Sequence, residues 1–186
     1  MELLEYYDEK NEKKLGIAER SNIHKNNLWH REVGIWILNE QNELLIQRRS
    51  PNKKSNPNKL SITAGHVDVN EREITAALRE IKEEIGLDFN EDDLELIDIF
   101  KNEQEGNYCF SYTYLVKTNA KIEDMIMQED EVSELKYITI EEVEERIKKE
   151  DDEMPLAKKA STKITIDKIK NIVNMQFFEL EKEKNI

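Results

Sequence analysis

Acidic side chains are crowded into residues 65–87, which read GHVDVNEREITAALREIKEEIGL. Asn70 can cap a helix that begins at Glu71, with Glu73 at its third position, and Gly86 can end it. At 3.6 residues per turn, one side of this helix carries four apolar residues: Ile74, Leu78, Ile81 and Ile85. The opposite side carries four acids: Glu73, Glu80, Glu83 and Glu84. The sequence therefore predicts one helix with an apolar face and an acidic face.

This acidic face is unfavourable unless a cation neutralises it. Like charges three and four residues apart on a helix cost about 0.2–0.5 kcal/mol per pair, and a hard divalent cation would remove that cost. Carboxylate oxygens without neighbouring thiols favour Mg²⁺ or Mn²⁺ over zinc. A solvated charged face accounts for the same residues, because most glutamate-rich helices are of that kind. The carboxylates alone leave both interpretations open.

The spacing of the whole segment is more specific than its charge. After Gly65 come five free positions, Glu71, seven free positions, and then Arg79 and Glu80. The segment resembles the signature of the Nudix hydrolases at every fixed position, including Gly65, Glu71, Arg79, Glu80, Glu83, Glu84 and Gly86. The resemblance implies a Mg²⁺-dependent pyrophosphohydrolase, with Mn²⁺ as an alternative metal, that cleaves a diphosphate linked to another moiety.

The resemblance also implies which residues hold the metal. The carboxylates of Glu80 and Glu84 would be the ligands, with Glu83 in support. The backbone carbonyl just before Gly65, which belongs to Ala64, would join them. Metal and protein together would then align a water for attack on phosphorus, so positioning and electrostatics would supply most of the rate.

Three further residues complete the predicted catalytic set. Arg79 and Glu71 would brace the metal-binding carboxylates without touching the metal themselves. The general base is one of the glutamates of the helix or Glu131, which lies in the later segment QEDEVSELKYI. The sequence leaves this choice open.

Positive charge is concentrated just before the acidic helix. The cations of this basic stretch are Arg48, Arg49, Lys53, Lys54 and Lys59, in a loop that Pro51 and Pro57 keep from becoming helical. Such segregation fits a diphosphate that is held partly by metal and partly by Arg or Lys. Arg48, Arg49, Lys53 and Lys54 are therefore the candidate substrate-binding residues. The alternative is that these cations are simply solvated.

Composition limits the choice of partners. The formal net charge of -13 argues against broad binding of nucleic acid or anionic membranes, because phosphates repel such a surface. No apolar run approaches a membrane span and the N-terminus lacks the order of a signal peptide, so a cytoplasmic location is expected. The single cysteine, Cys109, excludes an internal disulfide and is interpreted as a strand residue. The sequence leaves the oligomeric state open, a homodimer included.

The remaining segments predict an α+β fold. An N-terminal hairpin, a hairpin around residues 39–42, and strands at 60–64, 94–100, 108–116 and 131–138 surround the acidic helix. Thr139 caps a second predicted helix, and residues 161–184 form an amphipathic one through Ile166, Ile169, Val173, Phe177 and Leu180. The Nudix resemblance implies a mixed β-sheet sandwiched between helices. A single domain is expected, with an N-terminal extension (1–28), a core (29–150) and a C-terminal helical extension (151–186).

A closer resemblance covers residues 29–71. The segments WHREVGIWILNEQNELLIQRRSPNKKSNPNKL and SITAGHVDVNE are similar to the Nudix branch related to isopentenyl diphosphate isomerase. In that branch an extra metal site uses histidines, at places that His24, His30 and His66 approximately match. Ordinary surface or core imidazoles are nevertheless the preferred interpretation of these three residues.

The sequence departs from the isomerases at the residues that move protons. Ala64 stands where the isomerases have a cysteine, and Asn107 and Cys109 stand where glutamates are expected. Without a thiol and a carboxylate, isomerisation lacks its acid and base. Hydrolysis is therefore preferred, with an isomerase-like enzyme and a non-catalytic nucleotide-binding module as the alternatives.

The group attached to the diphosphate is left open, with nucleoside diphosphate derivatives and isoprenoid diphosphates both in range. Aromatic residues could stack on a base or line an apolar tail. The candidate pocket walls are Trp29, Trp36, Phe100, Tyr108 and Phe110.

Overall fold

The computed structural model describes residues 2–184, with side chains described as far as residue 175. Its strands are β1 (Leu3–Tyr7), β2 (Lys14–Glu19), β3 (His30–Asn39), β4 (Glu43–Arg49), β5 (Leu60–Ser61), β6 (Thr63–His66), β7 (Leu94–Gln104), β8 (Asn107–Thr118) and β9 (Val132–Thr139). Its helices are α1 (Arg20–Lys25), α2 (Glu73–Ile85), α3 (Ile140–Lys148) and α4 (Ala160–Lys184). Short 3₁₀ helices occupy Glu91–Asp93, Ile122–Asp124 and Pro155–Lys158. No described helix is long and apolar enough to cross a membrane.

A mixed sheet forms the centre of the molecule. Its main path runs β5-β4-β3-β8-β7, while β6 pairs with β3 and β9 pairs with β4. The β3–β8 pair is parallel, and the other pairs are antiparallel. Strands β1 and β2 form a separate hairpin, as the sequence predicted. The predicted α+β class is confirmed.

The two faces of the sheet pack against different helices. On β3, Val33, Ile35 and Ile37 point to the face covered by α2, where Ile81 and Ile85 are fully buried. The alternate residues of β3 point to the other face, which α3 and α4 cover. This period of two is what a strand buried on both faces requires. The helices therefore sandwich the sheet, and α4 contributes Ile166 and Ile169 to the second core.

The start of α2 differs from the prediction. The helix begins at Glu73 with Arg72 as its N-cap, and no side chain caps it. Asn70 adopts a left-handed conformation with φ 63°, in the turn before the helix. Glu71 is outside the helix because its carboxylate is already bonded to the backbone N–H of Asp68 and to Arg79. The end is as predicted, since Gly86 is left-handed with φ 74°.

The later elements agree more closely. Thr139 accepts a hydrogen bond from the backbone N–H of Glu142 and so caps α3. The C-terminal helix includes the predicted Ile166, Ile169 and Val173 stripe, whereas the side chains of Phe177 and Leu180 lie outside the described residues. The short helix α1 was not predicted.

Candidate active site

Helix α2 directs two of its carboxylates toward the sheet. Glu84 is buried, with 3% of its surface exposed, and Glu80 lies one turn earlier beside β6. Residues 65–87 are called the box. Glu83 is the most exposed of its three acids in the cavity, and Glu73 turns away to an ion pair with Arg31 at 2.5 Å. The predicted acidic face is therefore divided, because only Glu80, Glu83 and Glu84 line one cavity.

Arg79 connects the parts of this site. Its guanidinium donates to both carboxylate oxygens of Glu71 at 2.9 Å, to Glu80 Oε1 at 2.7 Å and to Glu83 Oε2 at 3.2 Å. It also donates to the backbone carbonyl of His66 at 2.9 Å. The hydrogen bonds to Glu71, followed by those to Glu80, raise the pKa of Arg79 above its usual range. The bracing role predicted for Arg79 and Glu71 fits this geometry.

Glu84 is positioned by a residue that the sequence analysis did not identify. Gln47, buried on β4, donates from Nε2 to Glu84 Oε2 at 3.0 Å. Thr63 Oγ1 donates to Gln47 Oε1 at 3.4 Å, and this fixes which way the amide points. The signal was a polar residue inside an apolar strand, in LLIQRR. A buried amide in such a position normally has a specific partner.

Gly65 is required by contact rather than by backbone conformation. A Cβ atom added at this position would overlap the carboxylate of Glu80. The turn into α2 thus brings the peptide backbone directly against that carboxylate. The glycine of the box is explained by this close approach.

The charges of this site fit a divalent cation. Burial raises the pKa of Glu80 to about 7 and that of Glu84 to about 8. Neighbouring carboxylates, including Glu131, add to both shifts. Two carboxylates that give up their protons with difficulty are stabilised in the ionised form by a cation between them. Glu80 and Glu84 would hold such an ion, with Glu83 and the backbone of Ala64 beside them.

A cavity of about 770 Å³ opens over these carboxylates. Glu131 lines it and forms an ion pair with Lys53, which also lines it together with Arg49. Arg48 does not line the cavity, because its guanidinium is bound to Glu134, Glu153 and the carbonyl of Asn58. Lys54 is exposed and is also outside the lining. Of the four predicted substrate-binding cations, the structure brings two to the cavity.

The prediction that aromatic residues form the pocket walls is wrong. Among the described residues, no Trp, Tyr or Phe belongs to the cavity lining. Trp36 is buried in the core on the α3–α4 side of the sheet, and Trp29 packs with Phe110 and Tyr7 beneath the N-terminal hairpin. Tyr108 packs against Trp29, Phe110 and Tyr7, and Phe100 lies on β7. Their aromatic surface stabilises the fold instead.

A cluster of histidines lies beside the carboxylate site, and its His66 lines the same cavity. His24 from α1, His30 from β3 and His66 from β6 place one ring nitrogen each within 4.8 Å of one another. The sequence favoured ordinary imidazoles over a second metal site for these three histidines, but the fold brings them together. Burial lowers the pKa of His66 to about 4, so its imidazole is neutral near pH 7 and able to bind metal.

Glu32 completes this cluster. Its Oε1 lies 3.5 Å from the Nε2 atoms of both His30 and His66. Cys109 Sγ donates to its Oε2 at 3.1 Å. Among the described residues, the buried atoms His30 Nε2 and Asn107 Oδ1 have no hydrogen-bond partner. Imidazoles with one carboxylate suit zinc or a similar transition metal, so the donor set fits such an ion.

The sequence contains a pattern that could have predicted the position of Glu32 beside His30. In the sequence HRE, residues i and i+2 of a strand share one face, which places Glu32 beside His30. Cys109 is the parallel-strand partner of His30, and it is a buried strand residue as predicted. Burial raises the pKa of its thiol above the usual range, so it stays protonated.

Comparison with known proteins identifies the class. The NUDIX domain model matches residues 28–158. The chain is 34% identical over 153 residues to Nudix hydrolase 3 of Arabidopsis thaliana, covering 76% of this chain and 20% of the plant protein. It is 32% identical over 150 residues to an uncharacterized Nudix hydrolase of Clostridium acetobutylicum, covering 76% of this chain and 72% of that protein.

Two further similarities bear on the branch and the fold. Isopentenyl-diphosphate Delta-isomerase 1 of Bos taurus is 28% identical over 164 residues, covering 76% of this chain and 71% of the bovine protein. A crystal structure of DR0079 from Deinococcus radiodurans superposes with a TM-score of 0.66 at 27% identity. That match covers 80% of this chain and 90% of DR0079.

The chain therefore belongs to the NUDIX domain family. Its class is that of the Nudix hydrolases, which act on pyrophosphate-containing substrates. The chain spans about one fifth of the Arabidopsis relative's length.

Gly65→Ala tests the contact with Glu80. The added methyl group must displace the Glu80 carboxylate, so affinity for Mn²⁺ is expected to fall by about 10–100-fold. Titration monitored by electron paramagnetic resonance of free Mn²⁺ measures this. Gly34→Ala is the matched control, since its methyl group would meet Ile62 Cδ1 at an acceptable 3.4 Å. Unchanged Mn²⁺ affinity in Gly65→Ala would contradict the role given to Glu80.

Gln47→Leu tests the hydrogen bond to Glu84. The substitution preserves size but leaves the carboxylate without its side-chain donor, so a loss of about 10–100-fold in Mn²⁺ affinity is expected. Gln41→Leu makes the same chemical change at an exposed turn and is expected to have no effect on affinity. Equal affinities in the two variants would mean that Gln47 does not position Glu84.

The histidine cluster is expected to bind about one Zn²⁺ per chain, because its donor set suits that ion. Isothermal titration with Zn²⁺ at saturating Mg²⁺ measures it. His66→Ala removes a central donor and is expected to abolish the binding, whereas Glu80→Gln is expected to retain it. Full Zn²⁺ binding by His66→Ala would show that the ion goes elsewhere.

Proposed function

We propose that this protein is a divalent-metal-dependent hydrolase that cleaves the diphosphate linkage of a nucleoside diphosphate derivative or a related organic diphosphate. Mg²⁺ is the proposed metal, with Mn²⁺ able to replace it. The observation that carries this proposal is the pair of carboxylates in the cavity, of which Glu84 is buried and Glu80 is partly buried. A site of this kind holds a hard cation and leaves one side open to substrate.

The proposed roles follow from the contacts in the cavity. Glu80 and Glu84 bind the metal, while Glu83 lies at the solvent side and acts on the metal or its water. Arg79 and Glu71 hold these carboxylates in place. A bound divalent cation would supply neutralisation of the diphosphate and a lowered pKa for the attacking water.

Glu131 is the proposed base from outside the box. It lines the same cavity, and it is close enough to Glu80 and Glu84 to raise their pKa values. Its ion pair with Lys53 would hold the carboxylate toward the attacking water. Lys53 is the proposed cation for the diphosphate, and Arg49 also lines the cavity. Arg48 is assigned to fixing the end of β4 by its contacts with Glu134 and Glu153.

Isomerase-like activity is the second candidate, and the histidine cluster favours it. Moving a double bond requires an acid and a base near the substrate. Ala64 supplies no thiol, and Cys109 donates its proton to Glu32, with its pKa raised by burial. The Cys109 thiol and the Glu32 carboxylate are bonded to each other beside the histidines, so we do not assign them to a proton shuttle.

Glu80→Gln and Glu84→Gln test the hydrolase proposal. Each removes a metal-binding charge, and each is expected to lower kcat by at least about a hundredfold with saturating Mg²⁺. Phosphate release from a panel of nucleoside and isoprenoid diphosphates, with Mg²⁺ and with Mn²⁺, provides the assay. The fold is expected to survive, because a neutral amide replaces a carboxylate that burial already disfavours in its ionised form.

Three outcomes would contradict the proposal. Near wild-type turnover by either variant would show that Glu80 and Glu84 are not the essential metal ligands. Tight nucleotide binding without turnover by the wild-type protein would favour a binding module. Formation of dimethylallyl diphosphate from isopentenyl diphosphate would favour the isomerase. Glu141→Gln, on the exposed first turn of α3, is the matched control and is expected to have no effect.

A further inference from the structure

The wall of the cavity beyond the carboxylates is mostly polar. The loop after β4 contributes Ser55 and Asn56, β5 contributes Ser61, and the segment before α4 contributes Lys159. This wall includes no aromatic residue in the described part of the chain. Stacking on a nucleobase needs an aromatic side chain, which this wall lacks, and its apolar surface is limited to Leu60, Pro155 and Leu156.

The two segments of this wall are fastened to each other. The backbone N–H of Leu60 donates to the carbonyl of Glu153 at 2.7 Å. Lys59 Nζ also donates to Glu153 Oε1 at 3.0 Å. One backbone hydrogen bond and one ion pair therefore hold the two segments, and the cations that they carry, on one side of the cavity.

Most cations that line the cavity already have an acidic partner. Arg20 pairs with Glu2, Lys53 with Glu131, and Lys158 with Asp152, while Arg79 holds the box carboxylates. Two remain. Among the described residues, no carboxylate lies within ion-pair distance of Arg49 or Lys159. Arg49 donates from Nε to the carbonyl of Ser55 at 3.1 Å, which leaves its terminal N–H groups available.

We propose that Arg49 and Lys159 form a second anion-binding subsite, and that the group attached to the diphosphate is hydroxyl-rich and carries its own phosphate. This inference rests on the proposed hydrolase function and names its substrate class. Ser55, Asn56 and Ser61 provide the hydroxyl and amide groups that a sugar or polyol requires. In a chain with a net charge of -13, two free cations on one wall would attract an anion selectively.

The reaction of such a substrate balances without a co-reactant. The water oxygen forms a bond to the terminal phosphorus of the diphosphate, and the bridging phosphorus–oxygen bond breaks. The electron pair of that bond goes to the phosphate that stays on the sugar. The water proton passes to the base and then to solvent. The products are inorganic phosphate and a sugar with one phosphate fewer.

5-Phosphoribosyl 1-diphosphate is the probe, because it has hydroxyl groups and a phosphate remote from its diphosphate. With Mg²⁺, its kcat/KM is expected to exceed that of ADP and of isopentenyl diphosphate by at least about tenfold. Lys159→Ala is expected to raise KM for the probe about tenfold and to leave kcat and the isopentenyl diphosphate reaction unchanged. Lys158→Ala is the matched control, because the Lys158 ammonium is already paired with Asp152 at 2.5 Å.

The outcomes separate the inference from the function on which it rests. Hydrolysis of ADP or isopentenyl diphosphate in preference to the probe would overturn the inference and leave the hydrolase intact. Equal effects of Lys158→Ala and Lys159→Ala would also overturn it, since the charge would then act only at a distance. Absence of Mg²⁺-dependent turnover with all three compounds would remove the hydrolase function, and the inference with it.

Discussion

The organisation of this protein depends on the burial of two carboxylates beside one guanidinium. Glu80 and Glu84 are removed from water by the packing of α2 on the sheet, and burial makes their ionised forms costly. Arg79 offsets part of that cost at Glu80 and connects the helix to Glu71 and to the backbone of β6. A divalent cation would neutralise the remaining negative charge of Glu80 and Glu84. The fold therefore favours metal binding at this site.

Much of the architecture could be predicted because local patterns and tertiary packing agree. The alternation of β3, the Thr139 cap and the Gly86 stop each favour one conformation, and the structure adopts it. The start of α2 was missed for the opposite reason. Asn70 and Glu71 have the side chains of a helix start, but the carboxylate of Glu71 has stronger partners in Arg79 and the backbone of Asp68.

The parts of the site that escaped prediction depend on contacts between distant segments. Gln47 and Glu84 are 37 residues apart in the chain, and no periodicity indicates that their side chains meet. The aromatic residues show a related limitation, because their chemistry was suitable but their positions were not. Trp36 and Trp29 have suitable chemistry for a pocket, but strand direction places them in cores on other surfaces of the sheet. Residue type suggested what these side chains could do, whereas the topology of the sheet determined where they lie.

One dipeptide contributes to two neighbouring sites of different chemistry. Gly65 lies against the Glu80 carboxylate, and the next residue, His66, directs its imidazole to the histidine cluster. The oxygen ligands of one site favour a hard cation, and the nitrogen ligands of the other favour zinc or a similar ion. Because Arg79 also holds the His66 carbonyl, a shift of β6 that accompanied loading of one site would move a ligand or a brace of the other. The two proposed sites would therefore be coupled by geometry, although their donor sets suit different metals.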